Sequence, residues 1–269
     1  MKYKLFLSDY DRTLGDREHI DESTLQAIKK YQSCGGKFCI ISGRVVDSIS
    51  EICKTYGFGG LVGAYQGSMI KDLDTGKILY DYGLPKDIAI DVYKDFVGEN
   101  YDTTVDIAGV RYSIKADGVF LNRYKEFGGA IDNLIDKEEG LRILESTVKP
   151  IEKICAMIPP EDIYTKIALY SEKYPKDVAF NSGGPIILEC INAKYNKGYA
   201  ARFIAEYYGI PFSEVIAIGD STNDIPLVDG KWYGVAVGDG CEQIKHAANE
   251  VAVEFSKNPV KQILEKYCL

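Results

Sequence analysis

The sequence predicts an α/β protein with a core of parallel sheet and helices on both faces, into which a second α/β domain is inserted. Three observations lead to this prediction. Apolar runs of strand length alternate with helical segments near the start of the chain, the same alternation returns in the last third, and a stretch with turn-forming edges lies between them. Strands that alternate with helices pair in parallel, because each helix serves as the crossover between two strands.

The first part of the predicted core begins with an apolar strand at residues 4–8. Asp21 can cap the helix that follows, and Gly35 marks its end. The other elements predicted here are strands at 38–41 and 61–64, a helix at 45–56, and a hairpin of 69–73 with 77–80.

The last third of the chain repeats the alternation. A helix that opens at Lys197 is stopped by Gly209, with Pro211 beyond it. The predicted strands are at 186–191, 215–218 and 234–237, and the predicted helices at 197–208 and 223–228. Residues 1–82 and 184–269 are therefore assigned to one core domain.

Residues 83–183 are predicted to form the inserted α/β domain. Its edges are Gly-Leu-Pro at 83–85 and Ser-Gly-Gly-Pro at 182–185, both rich in turn formers that would serve as hinges. The elements predicted inside it are a helix at 87–97, a hairpin of 105–107 with 112–114, a strand at 154–158 and a helix at 160–170.

The net charge of the chain limits the classes of partner that it is expected to bind. The 269 residues carry a net charge of −8, and no long block of like charge occurs. Proteins that bind nucleic acid show a basic patch that neutralises phosphates, so neither nucleic acid nor an anionic membrane is expected as a partner. No apolar run approaches the ~20 residues of a membrane helix, and the start of the chain lacks the apolar region of a signal peptide.

The seven cysteines predict free thiols. Their number is odd and no Cys-x-x-Cys occurs, a pattern typical of a reducing cytosol rather than of disulfides or a zinc site. Only two histidines are present, His19 and His246, which excludes catalysis by several imidazoles. We therefore expect a cytoplasmic protein.

Four short polar stretches lie beside the carboxyl ends of predicted core strands, where ligands of parallel sheets bind. The first carries Asp9 and Asp11 on the loop after the first strand. One such carboxylate can attack phosphorus, and the other can protonate the leaving oxygen and later deprotonate water. For an isolated pair, solvated or capping aspartates are the alternative.

The second and third stretches offer groups that bind anions. Ser42, Gly43 and Arg44 place a hydroxyl and a backbone amide at the predicted start of a helix, which suits phosphate; an ordinary N-cap serine is the alternative. Lys197 opens a helix, where a cation opposes the helix dipole. A bound phosphate or nearby carboxylates would explain it, and a solvated lysine is the alternative.

The fourth stretch carries Asp220 and Asp224 across a strand-to-helix turn. They can offer oxygen ligands to a hard cation, or act as an N-cap and a first-turn acid. In one pocket with Asp9 and Asp11, they would repel one another and any phosphate. A divalent cation and Lys197 would remove this conflict, and Mg²⁺ suits oxygen ligands without histidine or thiolate.

Taken in order, the four stretches resemble the four motifs of the haloacid dehalogenase superfamily. They are Asp9-Tyr10-Asp11-Arg12-Thr13, Ser42-Gly43-Arg44, Lys197, and Gly219-Asp220-Ser221-Thr222-Asn223-Asp224. The insert resembles the α/β cap of the Cof-type phosphatases, and the resemblance covers essentially the whole chain. It implies a Rossmann-like core and a Mg²⁺-dependent phosphatase that acts on a small phosphorylated metabolite such as a sugar phosphate.

The resemblance also implies a role for individual residues. Asp9 would be the nucleophile and Asp11 the general acid and base. The transferring phosphoryl group would be bound by Ser42, Gly43 and Lys197.

The implied Mg²⁺ ligands are the Asp9 side chain, the Asp11 backbone carbonyl and Asp220, with Asp224 binding directly or through water. Two further residues would support the site. Asn223 would orient the Lys197 side, and Arg44 would stand beside the phosphate-binding residues.

Three positions depart from the usual pattern of the family. Arg12 stands where glycine is usual, which adds a cation beside the site and removes backbone freedom. Gln66-Gly67 occupies the position before the hairpin where the family commonly has Asn-Gly. Asp239-Gly240 occupies the position after the last core strand where the family usually has Asn-Ala. None of the three removes a catalytic group.

Two alternatives stay open from the sequence. One is a phosphosugar mutase of the same superfamily, and the other is a non-catalytic phosphoacceptor or binding protein on this fold. The presence of both carboxylates in the first motif argues against the second, because a pure binder needs no acid beside its nucleophile. A monomer or weak homo-oligomer is expected. Candidate substrate contacts in the cap are Arg111, Lys115, Arg123 and Arg142.

Overall fold

Two sheets organise the described part of the chain, which in the computed structural model comprises residues 2–116, 119–126 and 131–269. The chain divides into two compact units. The first joins Met1–Tyr80 to Tyr195–Leu269, and the second is the continuous stretch Asp81–Lys194. The turn-forming edges predict boundaries after residues 82 and 183, so the second boundary lies later than predicted.

Strands and helices alternate along both units. The strands are β1 Leu5–Ser8, β2 Lys37–Ile41, β3 Leu61–Ala64, β4 Met69–Asp72, β5 Ile78–Asp81, β6 Asp102–Ile107, β7 Val110–Ile114, β8 Leu134–Ile135, β9 Ile151–Met157, β10 Val178–Gly184, β11 Ile187–Asn192, β12 Val215–Gly219, β13 Tyr233–Ala236 and β14 Glu250–Val251. The helices are α1 Glu22–Ser33, α2 Val46–Tyr56, α3 Lys86–Gly98, α4 Val119–Glu126, α5 Lys137–Ser146, α6 Ile163–Lys173, α7 Lys197–Tyr207, α8 Ile225–Val228, α9 Glu242–Ala247 and α10 Pro259–Tyr267.

The first sheet has eight strands in the order β14-β13-β12-β1-β2-β3-β4-β5. Its strands from β14 to β3 run parallel, and β4 runs antiparallel to β3. In the middle of the sheet, Leu5 of β1 lies opposite Val215 of β12 on one side and Lys37 of β2 on the other. The predicted α/β fold with a parallel core sheet is confirmed, and the predicted hairpin makes the sheet mixed at one edge.

The side chains of β1 alternate between two apolar layers. Leu5 and Leu7 are fully buried in a cluster that includes Ile204 of α7. Phe6 points to the other layer, which includes Ile28 of α1. A strand whose successive side chains face opposite sides is buried throughout only when helices cover both faces of its sheet.

The second sheet has six strands in the order β10-β11-β9-β6-β7-β8. Neighbouring strands are antiparallel except for β7 with β8. An apolar cluster covers one face, with contributions from Phe96 of α3, Leu144 of α5 and Tyr170 of α6. The second unit therefore has a hydrophobic core of its own.

One strand joins a different sheet from the one that the sequence predicts. The sequence assigns the run at 186–191 to the core because a helix follows it, but β11 pairs antiparallel with β9 and β10 and places Glu189 opposite Cys155. The assignment to the core is wrong, because an apolar run before a helix looks the same whichever strand it pairs with. The first unit resumes only at Tyr195.

Of the four candidate substrate contacts in the second unit, Arg111 forms hydrogen bonds with other side chains of that unit. Its guanidinium donates to the two carboxylate oxygens of Asp106 at 2.7 and 2.8 Å and to the Tyr124 hydroxyl at 2.6 Å. The other three candidates are exposed: Lys115, Arg123 and Arg142.

Two further sequence expectations concern the whole chain. The seven cysteines are free thiols, as predicted, and five of them are buried. Within the ranges that the structure describes, no helix combines the length and the apolar character needed to cross a membrane.

Candidate active site

Asp9 lies immediately after β1, at the carboxyl edge of the first sheet. Its backbone N–H donates to the Ile218 carbonyl of β12 at 3.0 Å, and the residue is only 4% exposed. Burial, and then the Asp224 carboxylate, raise the pKa of Asp9 well above its usual value, while Lys197 acts in the opposite direction. An acid placed here therefore needs cationic partners to remain ionised.

The loop after this aspartate turns tightly and leaves Asp11 exposed. The Gly15 backbone N–H donates to the Tyr10 carbonyl at 2.9 Å. The Asp11 oxygens accept from Nη2 and Nε of Arg44 at 2.6 and 2.9 Å, and the Arg44 guanidinium lies 4.8 Å from the centroid of the Tyr10 ring. The two aspartates of the first motif thus occupy different environments, a difference that two distinct chemical roles require.

Lys197 is the first residue of α7, and Asn196 caps this helix by accepting from the backbone N–H groups of Gly198 and Tyr199. The ammonium Nζ lies 2.6 Å from Asp9 Oδ1 and 2.5 Å from Asp224 Oδ1, and the residue is 1% exposed. Burial alone would lower the pKa of Lys197, but Asp224 and Asp9 outweigh it and raise that pKa. The lysine is a buried cation between two acids, not a solvated surface residue.

Asp224 accepts hydrogen bonds at both carboxylate oxygens. Oδ1 accepts from Lys197, and Oδ2 accepts from the backbone N–H groups of Asp220 and Ser221 at 3.1 Å each. The residue is fully buried. Burial, and then the neighbouring Asp224 carboxylate, raise the pKa of Asp220 to about 7. The loop after β12 therefore brings two acids and a buried lysine together.

Asp9, Asp220 and Asp224 form an acid trio, in which one oxygen of each residue lies within 4.8 Å of the others. Lys197 supplies one buried positive charge against these three carboxylates. A set of oxygen donors with an excess of negative charge fits a hard divalent cation. The Asp11 carboxylate lies outside the trio and pairs with Arg44, so the ligand expected from Asp11 is its backbone carbonyl alone.

Ser42 follows β2 at the same edge of the sheet and is fully buried. Its hydroxyl accepts from the Arg44 backbone N–H at 3.2 Å. The sequence places Ser42 at a helix start, but α2 begins at Val46 with Val45 as its N-cap residue. Both the helix-start placement and the alternative of an ordinary N-cap serine are therefore wrong, and Ser42-Gly43-Arg44 is a loop between β2 and α2.

Gln66 links this loop to the fourth motif, a connection that the sequence did not predict. A Cβ on Gly43 would lie 2.4 Å from Gln66 Nε2, so glycine leaves room for the glutamine side chain. Gln66 has φ +60°, and its Oε1 accepts from Asn223 Nδ2 at 3.2 Å. The resemblance implies that Asn223 orients the Lys197 side, and this role stays a prediction: Asn223 bonds to Gln66, while Asp9 and Asp224 contact the lysine.

Arg12 adopts the left-handed backbone conformation with φ +57°, which costs a residue other than glycine roughly 1 kcal/mol. Its Nη2 donates to Asp239 Oδ2 at 3.1 Å, and its Nε lies 4.0 Å from Asp220 Oδ2. The side chain is 62% exposed. Two of the three departures from the usual pattern, Arg12 and Asp239, thus form an ion pair with each other.

The sequence is similar to that of known enzymes over nearly its whole length. A family model for haloacid dehalogenase-like hydrolases matches residues 6–264. A Haemophilus influenzae protein with a provisional phosphatase name is 28% identical over 271 residues, which cover 99% of this chain and 98% of that protein. The 5-amino-6-(5-phospho-D-ribitylamino)uracil phosphatase YitU of Bacillus subtilis is 25% identical over 272 residues, 98% of this chain and 97% of its own.

The fold is also found among solved structures. A Plasmodium vivax protein provisionally described as a HAD/COF-like hydrolase superposes with a TM-score of 0.85 and 22% identity, covering 98% of this chain and 95% of that one. Haloacid dehalogenase-like hydrolases generally use a divalent metal, and the acid trio is the group of carboxylates that fits one here. From its sequence motifs, its fold and the family match, this chain belongs to the haloacid dehalogenase-like hydrolases and, among them, to the Cof-type phosphatases.

Proposed function

We propose that this protein hydrolyses a small phosphorylated metabolite, with Mg²⁺ as its cofactor and a phosphoaspartate on Asp9 as its intermediate. The observation that supports this most is the buried arrangement of Asp9, Lys197 and Asp224 beside Asp220. A buried carboxylate that contacts a lysine ammonium at 2.6 Å, at the carboxyl edge of a parallel sheet, is suited to attack an electrophile.

In the first step, a carboxylate oxygen of Asp9 attacks phosphorus and the bond from phosphorus to the leaving oxygen breaks. Lys197 engages Oδ1, which leaves Oδ2 as the attacking atom. In the second step, a water oxygen attacks phosphorus, the bond from Asp9 to phosphorus breaks, and inorganic phosphate leaves. Lys197 stays within reach of the charge that develops, and such positioning is most of what a protein contributes to phosphoryl transfer.

Asp11 transfers the protons in this scheme. Once it has left Arg44 and taken a proton from solvent, Asp11 gives that proton to the leaving oxygen in the first step, and the resulting carboxylate takes one from the attacking water in the second. Both of its oxygens are engaged by Arg44, so Asp11 must part from the guanidinium to reach a substrate. The exposure of Asp11 allows this movement, whereas the burial of Asp9 keeps the nucleophile fixed.

The remaining residues bind the phosphoryl group and the cation. Ser42, Gly43 and Lys197 would hold the phosphoryl oxygens. Asp9, Asp220, Asp224 and the Asp11 backbone carbonyl would hold Mg²⁺. When bound there, Mg²⁺ would neutralise the acids and withdraw charge from the phosphoryl oxygens.

The substrate is a phosphomonoester of a sugar or a similar polyol in this proposal. The Bacillus subtilis relative is named for a phosphorylated ribityl compound, which supports this class. The inserted unit would select among such compounds, and a monomer or weak homo-oligomer in the cytoplasm remains the expected form. A phosphosugar mutase is the alternative chemistry, since it would return the phosphoryl group to sugar instead of water.

The test is phosphate release from a panel of phosphorylated metabolites, with Mg²⁺ and with a chelator. We expect release from at least one sugar phosphate, without any bisphosphate to prime the reaction, and loss of activity on chelation. Asp9→Asn should abolish both turnover and phosphoenzyme, while Asp16→Asn, an exposed acid of the same loop, should change neither. Isomerisation of a hexose phosphate without phosphate release would instead establish the mutase.

A further inference from the structure

Arg12 is a strongly charged side chain beside the acid trio that the proposed reaction does not use. Its guanidinium lies between two carboxylates, Asp239 at 3.1 Å and Asp220 at 4.0 Å. The pair with Asp239 is largely solvent-exposed, and exposed pairs contribute little to folding stability. Since the left-handed backbone at Arg12 is also strained, stability does not account for an arginine here.

Asp239 belongs to a loop that is packed directly against Asp220. A Cβ on Gly240 would lie 2.6 Å from the Asp220 carbonyl oxygen, and the Cys241 backbone N–H donates to that oxygen at 2.9 Å. Asp239 Oδ1 accepts from the Phe255 backbone N–H at 2.8 Å, which holds the carboxylate in place, and Oδ2 faces Arg12. A fourth carboxylate thus lies on the loop that packs against Asp220, outside the acid trio, and the Arg12 guanidinium lies between it and the Asp220 carboxylate.

We propose that Arg12 is a positioning residue that withholds Asp239 from the cation site and thereby keeps the site selective for Mg²⁺ over Ca²⁺. This inference rests on the proposed function, because it requires that the trio binds a divalent cation. Mg²⁺ needs few protein oxygens and keeps several of its waters, whereas Ca²⁺ takes six to eight oxygen ligands at longer distances. A site limited to three acids favours the smaller ion, and an added carboxylate favours the larger one.

Titration calorimetry of the full chain with Mg²⁺ alone and with Ca²⁺ alone tests this directly, without any activity assay. In Arg12→Gln, a positive charge beside the cation is lost and Asp239 Oδ2 loses its ion-pair partner. We expect the Kd for Ca²⁺ to fall about three- to tenfold, and the Kd for Mg²⁺ to fall less. Arg12→Lys retains the charge and should keep the ratio of the two Kd values near that of the wild type.

Two further variants separate the proposed effect from general electrostatics. Arg17 lies on the same loop, is exposed, has φ +54° and forms no ion pair with any residue that the structure describes, so Arg17→Gln should leave both Kd values unchanged. Arg12→Gln combined with Asp239→Asn removes the added ligand, and the Ca²⁺ affinity should return close to that of the wild type.

Two results would overturn the inference alone. One is an Arg12→Gln variant whose Kd values match those of Arg17→Gln, and the other is a double variant that keeps the tightened Ca²⁺ binding. A wild-type protein that binds neither cation would overturn the proposed function, and this inference with it. The two failures are distinguished because the first appears only in the variants and the second appears in the unmodified chain.

Discussion

At the scale of single residues, Lys197 supplies the positive charge that partly compensates the buried acids of the site. Its ammonium contacts two acids of the trio, and at 1% exposure the residue is shielded from solvent. Taking a lysine and two carboxylates out of water is costly, and their mutual attraction offsets this cost only while every partner is present. Removing the lysine leaves Asp9 and Asp224 facing each other without a cation.

We expect Lys197→Met to destabilise the protein by about 3–5 kcal/mol, because it breaks a buried charge cluster. The midpoint of thermal unfolding measures the loss, and added Mg²⁺ should restore part of it by binding the uncompensated acids. Lys231→Met, at an exposed lysine, serves as the control and should shift the midpoint little. An unchanged midpoint for Lys197→Met would mean that the lysine does not compensate the acids.

Asp11 allows a second prediction at this scale, because its chemistry can be separated from its ion pair. Asp11→Asn removes proton transfer, and we expect turnover of a sugar phosphate to fall about 10²–10⁴-fold. An activated aryl phosphate needs no protonated leaving group, so it should still phosphorylate Asp9, and the intermediate should persist. Burst amplitude and phosphoenzyme lifetime measure both effects.

Arg44→Gln is the matched control for this prediction, since it breaks the same ion pair but leaves the carboxyl group. We expect it to retain most of the proton transfer. Equal losses in Asp11→Asn and Arg44→Gln would assign the effect to the lost pair rather than to acid–base catalysis.

At the scale of elements, the start of α7 sets the position of Lys197 against the loop after β12. A Cβ on Gly198 would lie 2.3 Å from the Pro226 carbonyl oxygen of α8. That atom belongs to the backbone and cannot rotate away, so a larger residue must push the two helices apart. Glycine at this position therefore lets α7 approach α8 closely enough for Lys197 to reach Asp224.

We expect Gly198→Ala to lower turnover more than tenfold and to cost about 1–3 kcal/mol of stability, as overpacking typically does. Gly98→Ala is the control, because a Cβ there meets nothing within 4 Å. Kinetics and thermal unfolding of the two variants measure the difference. Wild-type turnover in Gly198→Ala would show that the approach of the helices does not position the lysine.

The elements that the sequence predicts well are those whose signals are local. The loop after β1 and the helix opened by Lys197 carry caps, turn formers and apolar periodicity within a few residues, so their positions beside the sheet edge could be predicted. The loop that carries Ser42 could not, because α2 has no side-chain cap at its start. The contacts of Gln66 with Asn223 and of Arg12 with Asp239 join residues far apart in the sequence, and no local signal indicates them.

At the scale of the whole molecule, each of the two units buries its own apolar cluster. The sequence predicts that an insert exists, because turn formers interrupt the alternation of strands and helices. It does not predict where the insert ends, because the pairing of β11 with β9 depends on residues thirty or more positions away along the chain. The stability of the molecule therefore includes a contribution from each unit, and these can respond differently to solution conditions.

Glu152 provides a way to observe the second unit separately. It lies on β9, is fully buried, and accepts from the Gly109 backbone N–H at 3.1 Å. Burial, and then the neighbouring Asp81, raise the pKa of Glu152 from the usual 4.5 to about 9. Between these two values the folded state binds a proton that the unfolded state has released. The free energy of unfolding should therefore fall as the pH rises through this window.

We expect Glu152→Gln to remove part of that fall, because glutamine is uncharged at every pH and can donate to Asp81. From pH 5.5 to pH 8.5, the wild type should lose about 2–4 kcal/mol more stability than the variant, a difference that denaturant unfolding can resolve. Glu145→Gln, at an exposed glutamate of the same unit, should keep the slope of the wild type. Hydrogen exchange of the β9 amides would locate the effect, because the opening of the second unit exposes them. If Glu152→Gln retains the full slope, then Glu152 is ionised in the folded state and its carboxylate has a compensating partner.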